Sequence, residues 1–222
     1  IARIRAYDAD QNLTNDTNDF NFTVKGALDL TTPNTTGIVM KVGESYNVTW
    51  QKFGAITQVN LSYSNNSDAG PWKPIVSNWT ATPSYYNWPV ADDIGSTLKV
   101  KVQDANNINV WNISANNFTI VGKITLTRPD QTEPDWVVGE SRYINWTPTG
   151  TFASVIIQGS TNAFANESQT WNITTVPAGA NGTPESFNYS PVGDNISNNV
   201  KIRVSDAYPD IFSLVNDTSA NS

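Results

Sequence analysis

Val42-Gly43-Glu44-Ser45 stands five residues before Trp50, and Val138-Gly139-Glu140-Ser141 stands five residues before Trp146, an offset of 96. Leu28-x4-Pro33 returns loosely as Ile124-x3-Arg128-Pro129, and Val59-Asn60-Leu61 as Val155-Ile156-Ile157. The later part of the unit occurs three times: Ala2-Arg3-Ile4-Arg5-Ala6-Tyr7-Asp8-Ala9, Leu98-Lys99-Val100-Lys101-Val102-Gln103-Asp104-Ala105 and Val200-Lys201-Ile202-Arg203-Val204-Ser205-Asp206-Ala207. A closing strand reads Phe22-Thr23-Val24-Lys25-Gly26 and again Phe118-Thr119-Ile120-Val121-Gly122. The second unit carries a short insertion between Ser160 and Pro191. A chain of 222 residues with this internal period has to bury its apolar side chains unit by unit rather than in one core.

Within each unit, short apolar runs alternate with polar residues and are separated by Gly, Pro, Asn and Asp clusters, with no sustained 3.6-residue period. That pattern predicts an all-β chain of tandem immunoglobulin-like β-sandwich domains. The expected core of the first unit is Val48, Trp50, Leu61, Trp88, Val100, Val102, Phe118 and Ile120, with Trp146 taking the place of Trp50 in the second. No cysteine is present, so each apolar core has to hold its sandwich without a disulfide. The repeat divides the chain into residues 1–24 (closing strands of a preceding or neighbouring-subunit repeat), a domain over 25–121, and a domain over 122–222 that lacks its last strand.

Composition removes whole classes of chemistry. With neither His nor Cys there is no Ser–His–Asp or Cys–His catalysis and no His- or Cys-ligated metal. A formal charge of −7 argues against nucleic acid, whose binders need a basic footprint. No apolar run approaches the roughly eighteen residues of a membrane-spanning helix. Glu44 and Glu140 repeat, but at equivalent positions of different domains, too far apart to act as a glycosidase pair. The chain is therefore expected not to be an enzyme.

The strongest chemical signal is asparagine. Twenty-eight Asn and 44 Ser plus Thr, scattered independently, would form about five to six N-x-S/T glycosylation acceptors by chance. The sequence has seventeen: Asn12, Asn15, Asn21, Asn34, Asn47, Asn60, Asn65, Asn78, Asn112, Asn117, Asn145, Asn166, Asn172, Asn181, Asn188, Asn195 and Asn216. Strand parity supports modification, because alternate side chains face opposite sides of a sheet. Tyr46, Val48 and Trp50 share one face and leave Asn47 on the other; Asn60, beside Val59 and Leu61, Asn117, beside Phe118 and Ile120, and Asn145 obey the same rule. Asn21, beside Phe22 and Val24, is expected to do so too.

An apolar residue and Pro, then Val-Gly-Glu, an apolar-x-Trp strand, an apolar-x-apolar strand, Tyr86-Asn87-Trp88-Pro89-Val90, Leu98-x-Val100-x-Val102 and Phe118-Thr119-Ile120 form a series. It resembles the Ig-like domain of the serine/threonine-rich GPI-anchored cell-surface proteins, shared with the fungal cell-wall glucan-synthesis proteins. Similar domains recur in tandem in prokaryotic, S-layer-like surface proteins. The resemblance covers nearly all of 27–120 and, less well, 123–222; it implies a non-catalytic surface module and brings no active-site residues.

The expectation is a structural, heavily N-glycosylated, extracellular repeat protein of a cell-surface layer, sheath or filament, whose partners are copies of itself and covalent glycans. The alternative is an adhesin or carbohydrate-binding module using Trp72, Trp79, Trp111, Trp136 and Trp171, which the strand pattern leaves unplaced. Asp8, Asp104 and Asp206 recur at one repeat position with oxygen groups nearby, which suits Ca²⁺; the plainer explanation is a carboxylate capping a turn. The repeat phase has two readings. In one, the chain is an excerpt of a longer array. In the other, the strand bearing Phe20, Phe22 and Val24 completes the open last domain of a neighbouring subunit.

Overall fold

A computed structural model describes residues 2–11, 13–208 and 214–220. Strands β1 (Arg5–Tyr7) and β2 (Asn15–Thr17) form an antiparallel two-stranded sheet, extended by an isolated bridge between Ala2 and Phe22. This hairpin packs no core: Tyr7, Phe20, Phe22 and Val24 are all exposed. Asn21 is exposed, and so are its neighbours Phe22 and Val24.

The first sandwich follows. One sheet holds β3 (Ala27–Thr32), β5 (Ser45–Phe53) and β8 (Tyr85–Pro89); the order is β3-β5-β8. The facing sheet runs β4 (Val39–Lys41), β11 (Phe118–Val121), β9 (Gly95–Asp104), β6 (Gln58–Ser64) and β7 (Lys73–Thr80), with β10 (Trp111–Ile113) also paired to β9. All eight residues expected in this core are buried. Apolar side chains alternate inward along β5, β6 and β9, and the two inner faces interdigitate as in immunoglobulin-like sandwiches.

The second sandwich repeats the plan. Strands β12 (Lys123–Arg128), β13 (Arg142–Thr149) and β16 (Glu185–Tyr189) form its first sheet, in the order β12-β13-β16. Its second sheet is β15-β14-β17-β18, built from β14 (Ser154–Ser160), β15 (Thr170–Pro177), β17 (Lys201–Asp206) and β18 (Asn216–Thr218). Trp146, Ile144, Val155, Ile157, Ile202 and Val204 fill its core. Among the described residues, 135–137, which correspond to β4, form no strand, and β17 spans six residues where β9 spans ten.

Small polar groups hold the sheets together in register. Ser114 Oγ accepts from Val100 N at 3.2 Å, and Ser219 Oγ accepts from Ile202 N at 3.1 Å. Asn112 Oδ1 accepts from Leu30 N at 2.9 Å, and Asp217 Oδ2 accepts from Leu126 N at 2.7 Å, so each pair ties one sheet to the other at the same repeat position.

Candidate functional site

The candidate site is the wet surface of both sandwiches. Eleven acceptor asparagines are exposed: Asn15, Asn21, Asn47, Asn65, Asn78, Asn117, Asn166, Asn172, Asn181, Asn188 and Asn216. Five more, Asn34, Asn60, Asn112, Asn145 and Asn195, are half-buried; none of the sixteen is buried, and Asn12 lies outside the described residues. Strand alternation places several of them. Asn47 and Asn60 project outward because their neighbours Val48, Val59 and Leu61 fill the core. An exposed side-chain amide is the geometry that glycosylation of this motif requires.

Several of these amides already have local partners through their carbonyl oxygen. Asn60 Oδ1 accepts from Asn78 N at 2.8 Å, Asn34 Oδ1 from Ala115 N at 2.7 Å and Asn145 Oδ1 from Ser186 Oγ at 2.8 Å. These bonds orient the side chain while leaving the amide nitrogen, the atom that would carry a sugar, outside the bond. Asn112 is different in kind. Its inter-sheet bond and the buried hydroxyl of Ser114 account for that triplet structurally.

The three repeated aspartates do not converge. Asp8 Oδ1 accepts from Asp10 N at 2.9 Å, Asp104 Oδ1 from Asn106 N at 2.9 Å and Asp206 Oδ1 from Tyr208 N at 2.9 Å. Each carboxylate bonds the backbone two residues on, which is a turn cap. No cluster of three or more carboxylates capable of holding a metal occurs among the described residues. Asp206 is nearly closed off from solvent and its Oδ2 has no partner; burial raises its pKa above the usual 3.8, against the lowering effect of the Tyr208 N–H. Glu140 behaves oppositely. The Arg142 side chain, then Val137 N, hold its carboxyl below the usual range and fix the turn.

The five unplaced tryptophans do not form a common platform. Trp72 lies under the Lys101 ammonium at 4.7 Å. Trp79 meets Tyr86 edge-on at 5.0 Å and donates to Tyr85 O. Trp136 packs against the second core beside Tyr189, and Trp171 lies over Gly159. Trp111 alone is more than half exposed.

Asp92, in the loop between β8 and β9, reaches across to the second sandwich. Its Oδ1 accepts from Thr151 N at 2.9 Å, and its Oδ2 accepts from Thr151 Oγ1 at 2.7 Å and Asn181 Nδ2 at 3.1 Å. Partners 59 and 89 residues away leave no local signal in the sequence.

No protein-family model matches the chain, and no curated protein matches it. Solved structures do. The fibronectin(III)-like modules of Clostridium thermocellum CbhA share 13% identity over 86% of this chain and 91% of that one, with a TM-score of 0.27. A tetra-tandem repeat from the extending region of a large adhesion protein shares 16% identity over 99% of this chain and 55% of that one, at 0.31. The four N-terminal Ig domains of Dscam1 isoform 4.4 share 11% identity over 99% and 53%, at 0.33. This chain spans about half the length of the last two. At these identities the likeness concerns the sandwich fold alone.

Proposed function

We propose that this protein is a structural repeat of an extracellular surface layer, sheath or filament, with its wet faces N-glycosylated. The observation that carries the reading is the joint placement of acceptors: about threefold more than chance supplies, with none of the sixteen described ones in either core. Stacked sandwiches supply length, and sugars on their outer faces supply hydration and shield the backbone from proteases. The acidic balance adds mutual repulsion between neighbouring arrays at low salt. What supports a mechanical rather than an adhesive role is the engagement of the tryptophans: four of the five that could stack a pyranose are held by ring, cation or core contacts.

Intact-mass measurement on the native protein, before and after chemical stripping of glycans, tests the proposal. A native mass above that of the bare polypeptide, falling on stripping, is the expected result, with glycopeptides mapping to both sandwiches. The bare polypeptide mass overturns it. Oligosaccharide titration monitored by tryptophan fluorescence separates the adhesive alternative, which requires a saturable shift that Trp111→Ala abolishes.

A further inference from the structure

Trp111 lies on the outer face of the first sandwich with its ring uncovered. It is 53% exposed, and among the described residues no ring or cation contact involves it. Strand register places it. In β10, Asn112 turns inward to accept from Leu30 N of the facing sheet, which leaves Trp111 and Ile113 on the outer face. Trp111 is paired with Gln103 of β9, and Gln103 with Asn60 of β6. Val59, Leu61 and Val102 are buried, so Gln103 and Asn60 face outward too. The three side chains form one row across three adjacent strands, with an acceptor asparagine at one end and the exposed indole at the other.

The middle of the row is kept low. Gln103 Nε2 donates to Ile108 O at 2.8 Å, which draws its side chain along the sheet toward the turn between β9 and β10. In the next row Lys101, paired with Ile113, holds its ammonium 4.7 Å from the Trp72 ring, on the β7 side and away from Trp111. At the acceptor end, Asn60 Oδ1 accepts from Asn78 N of β7 at 2.8 Å. Holding the oxygen toward β7 turns the amide nitrogen the other way, toward β9 and the row. The Cα atoms of Asn60 and Trp111 stand two strand spacings apart, about 10 Å, a gap that two side chains and one sugar ring fill. The C–H face of a pyranose is apolar and slightly positive, which suits the negative face of an indole.

We propose that the sugar attached to Asn60 lies back across Gln103 and stacks on Trp111, so that the chain's own glycan covers the indole. The inference rests on the glycosylated reading of this surface and names the side chain that receives one of its sugars. The other copies of the row vary as this requires. In the second sandwich the row is Ile156, Ser205 and Asn216, so the asparagine at the Asn60 position and the tryptophan at the Trp111 position are replaced together. In the hairpin, Tyr7 holds the Gln103 position and is paired directly with the acceptor Asn15, and both are exposed. Covering Trp111 takes apolar surface out of water and restrains the sugar against the sheet, so the coat is ordered where it leaves the protein. A tryptophan occupied in this way is closed to free oligosaccharide.

Ser62→Ala tests the proposal, because it destroys the triplet Asn60-Leu61-Ser62 while keeping Asn60 and its bond to Asn78. Parent and variant from the same glycosylating source are compared by acrylamide quenching of tryptophan emission, with glycopeptide mapping of Asn60 on the same samples. Loss of the sugar should uncover Trp111, so quenching rises and emission shifts to the red. In a Trp111→Phe background, which changes only an exposed ring, Ser62→Ala should alter neither. Asn47→Gln removes an exposed acceptor from the other sheet and should leave quenching at the parent value. A sugar mapped to Asn60 whose loss leaves Trp111 unchanged overturns the seating while the glycosylated reading stands. So does a bare Asn60 in a protein glycosylated elsewhere, or an equal response to Asn47→Gln. Bare polypeptide throughout overturns both, and intact mass alone reveals that case.

Discussion

Trp50 and Trp146 occupy the same repeat position, and both are almost wholly buried, yet their indole N–H groups differ. Trp146 Nε1 donates to Ala178 O at 3.0 Å, whereas Trp50 Nε1 is buried with no partner. A buried donor left unpaired costs about 1–3 kcal/mol, which offsets part of what the Trp50 ring contributes by packing. Replacement by Phe removes that penalty at one site and orphans a carbonyl at the other. Trp146→Phe should therefore destabilise more than Trp50→Phe, by about 1–2 kcal/mol, read from urea unfolding of the two variants; equal losses would refute the assignment. Asp206 allows a pH test. Its folded pKa is raised by burial, so the folded state holds the proton more tightly than the unfolded chain does. Its contribution favours folding below the ordinary 3.8 and is lost as pH rises through the higher folded value. Asp206→Asn keeps an oxygen for Tyr208 N while discarding the charge. The variant should be more stable than the parent at pH 7 and no more stable at pH 3, as thermal melts across that range would show.

At the scale of elements, the two sandwiches differ by a compensated exchange across one strand pair. In the first, Tyr63 of β6 sits opposite Lys73 of β7; its ring packs on Trp88 at 5.2 Å with the ammonium 5.7 Å above it. In the second, Gly159 of β14 sits opposite Trp171 of β15, and the indole lies where a Cβ on Gly159 would stand. The ring is supplied from the neighbouring strand instead. Gly159→Ala should expel the Trp171 ring and cost about 1–3 kcal/mol, with a red shift in tryptophan emission. Gly159→Tyr with Trp171→Lys should recover part of the loss of Gly159→Tyr alone, a coupling that a double-mutant cycle measures. The same pair shows where sequence reading stopped. Alternation and the 96-residue offset were enough to place Val48, Trp50, Leu61 and Val100, because each fills the core from its own position in a strand. Trp171 could not be placed that way, since its burial depends on an absence opposite it in the sheet. The acceptor asparagines were legible for the converse reason: exposure follows from local parity.

At the scale of the molecule, the question is how stiffly the sandwiches are joined, because a surface polymer transmits load through its joints. Three features converge on this one. Gly122, the connecting residue, is buried where a side chain would strike Phe152. Gly150, at a φ of +96°, brings the loop between β13 and β14 to Val42 and Ile94 of the first sandwich. Asn181 then links the pieces, accepting from Gly150 N at 3.0 Å while donating to Asp92. The apolar contacts of Phe152 and Val42 are not directional, so they resist separation more than rotation. The carboxylate of Asp92, with three donors from two loops, fixes the rotation. Hydrogen bonds to a charged group contribute about 1.5–3 kcal/mol when sheltered, and less here because Asp92 is exposed. Asp92→Ala should therefore leave the melting of each sandwich nearly unchanged while broadening the angular distribution between them. Small-angle X-ray scattering should show a wider spread of maximum dimensions. Identical profiles for the two would place the stiffness in the apolar contact at Phe152 instead, where Phe152→Ala should then produce the broadening.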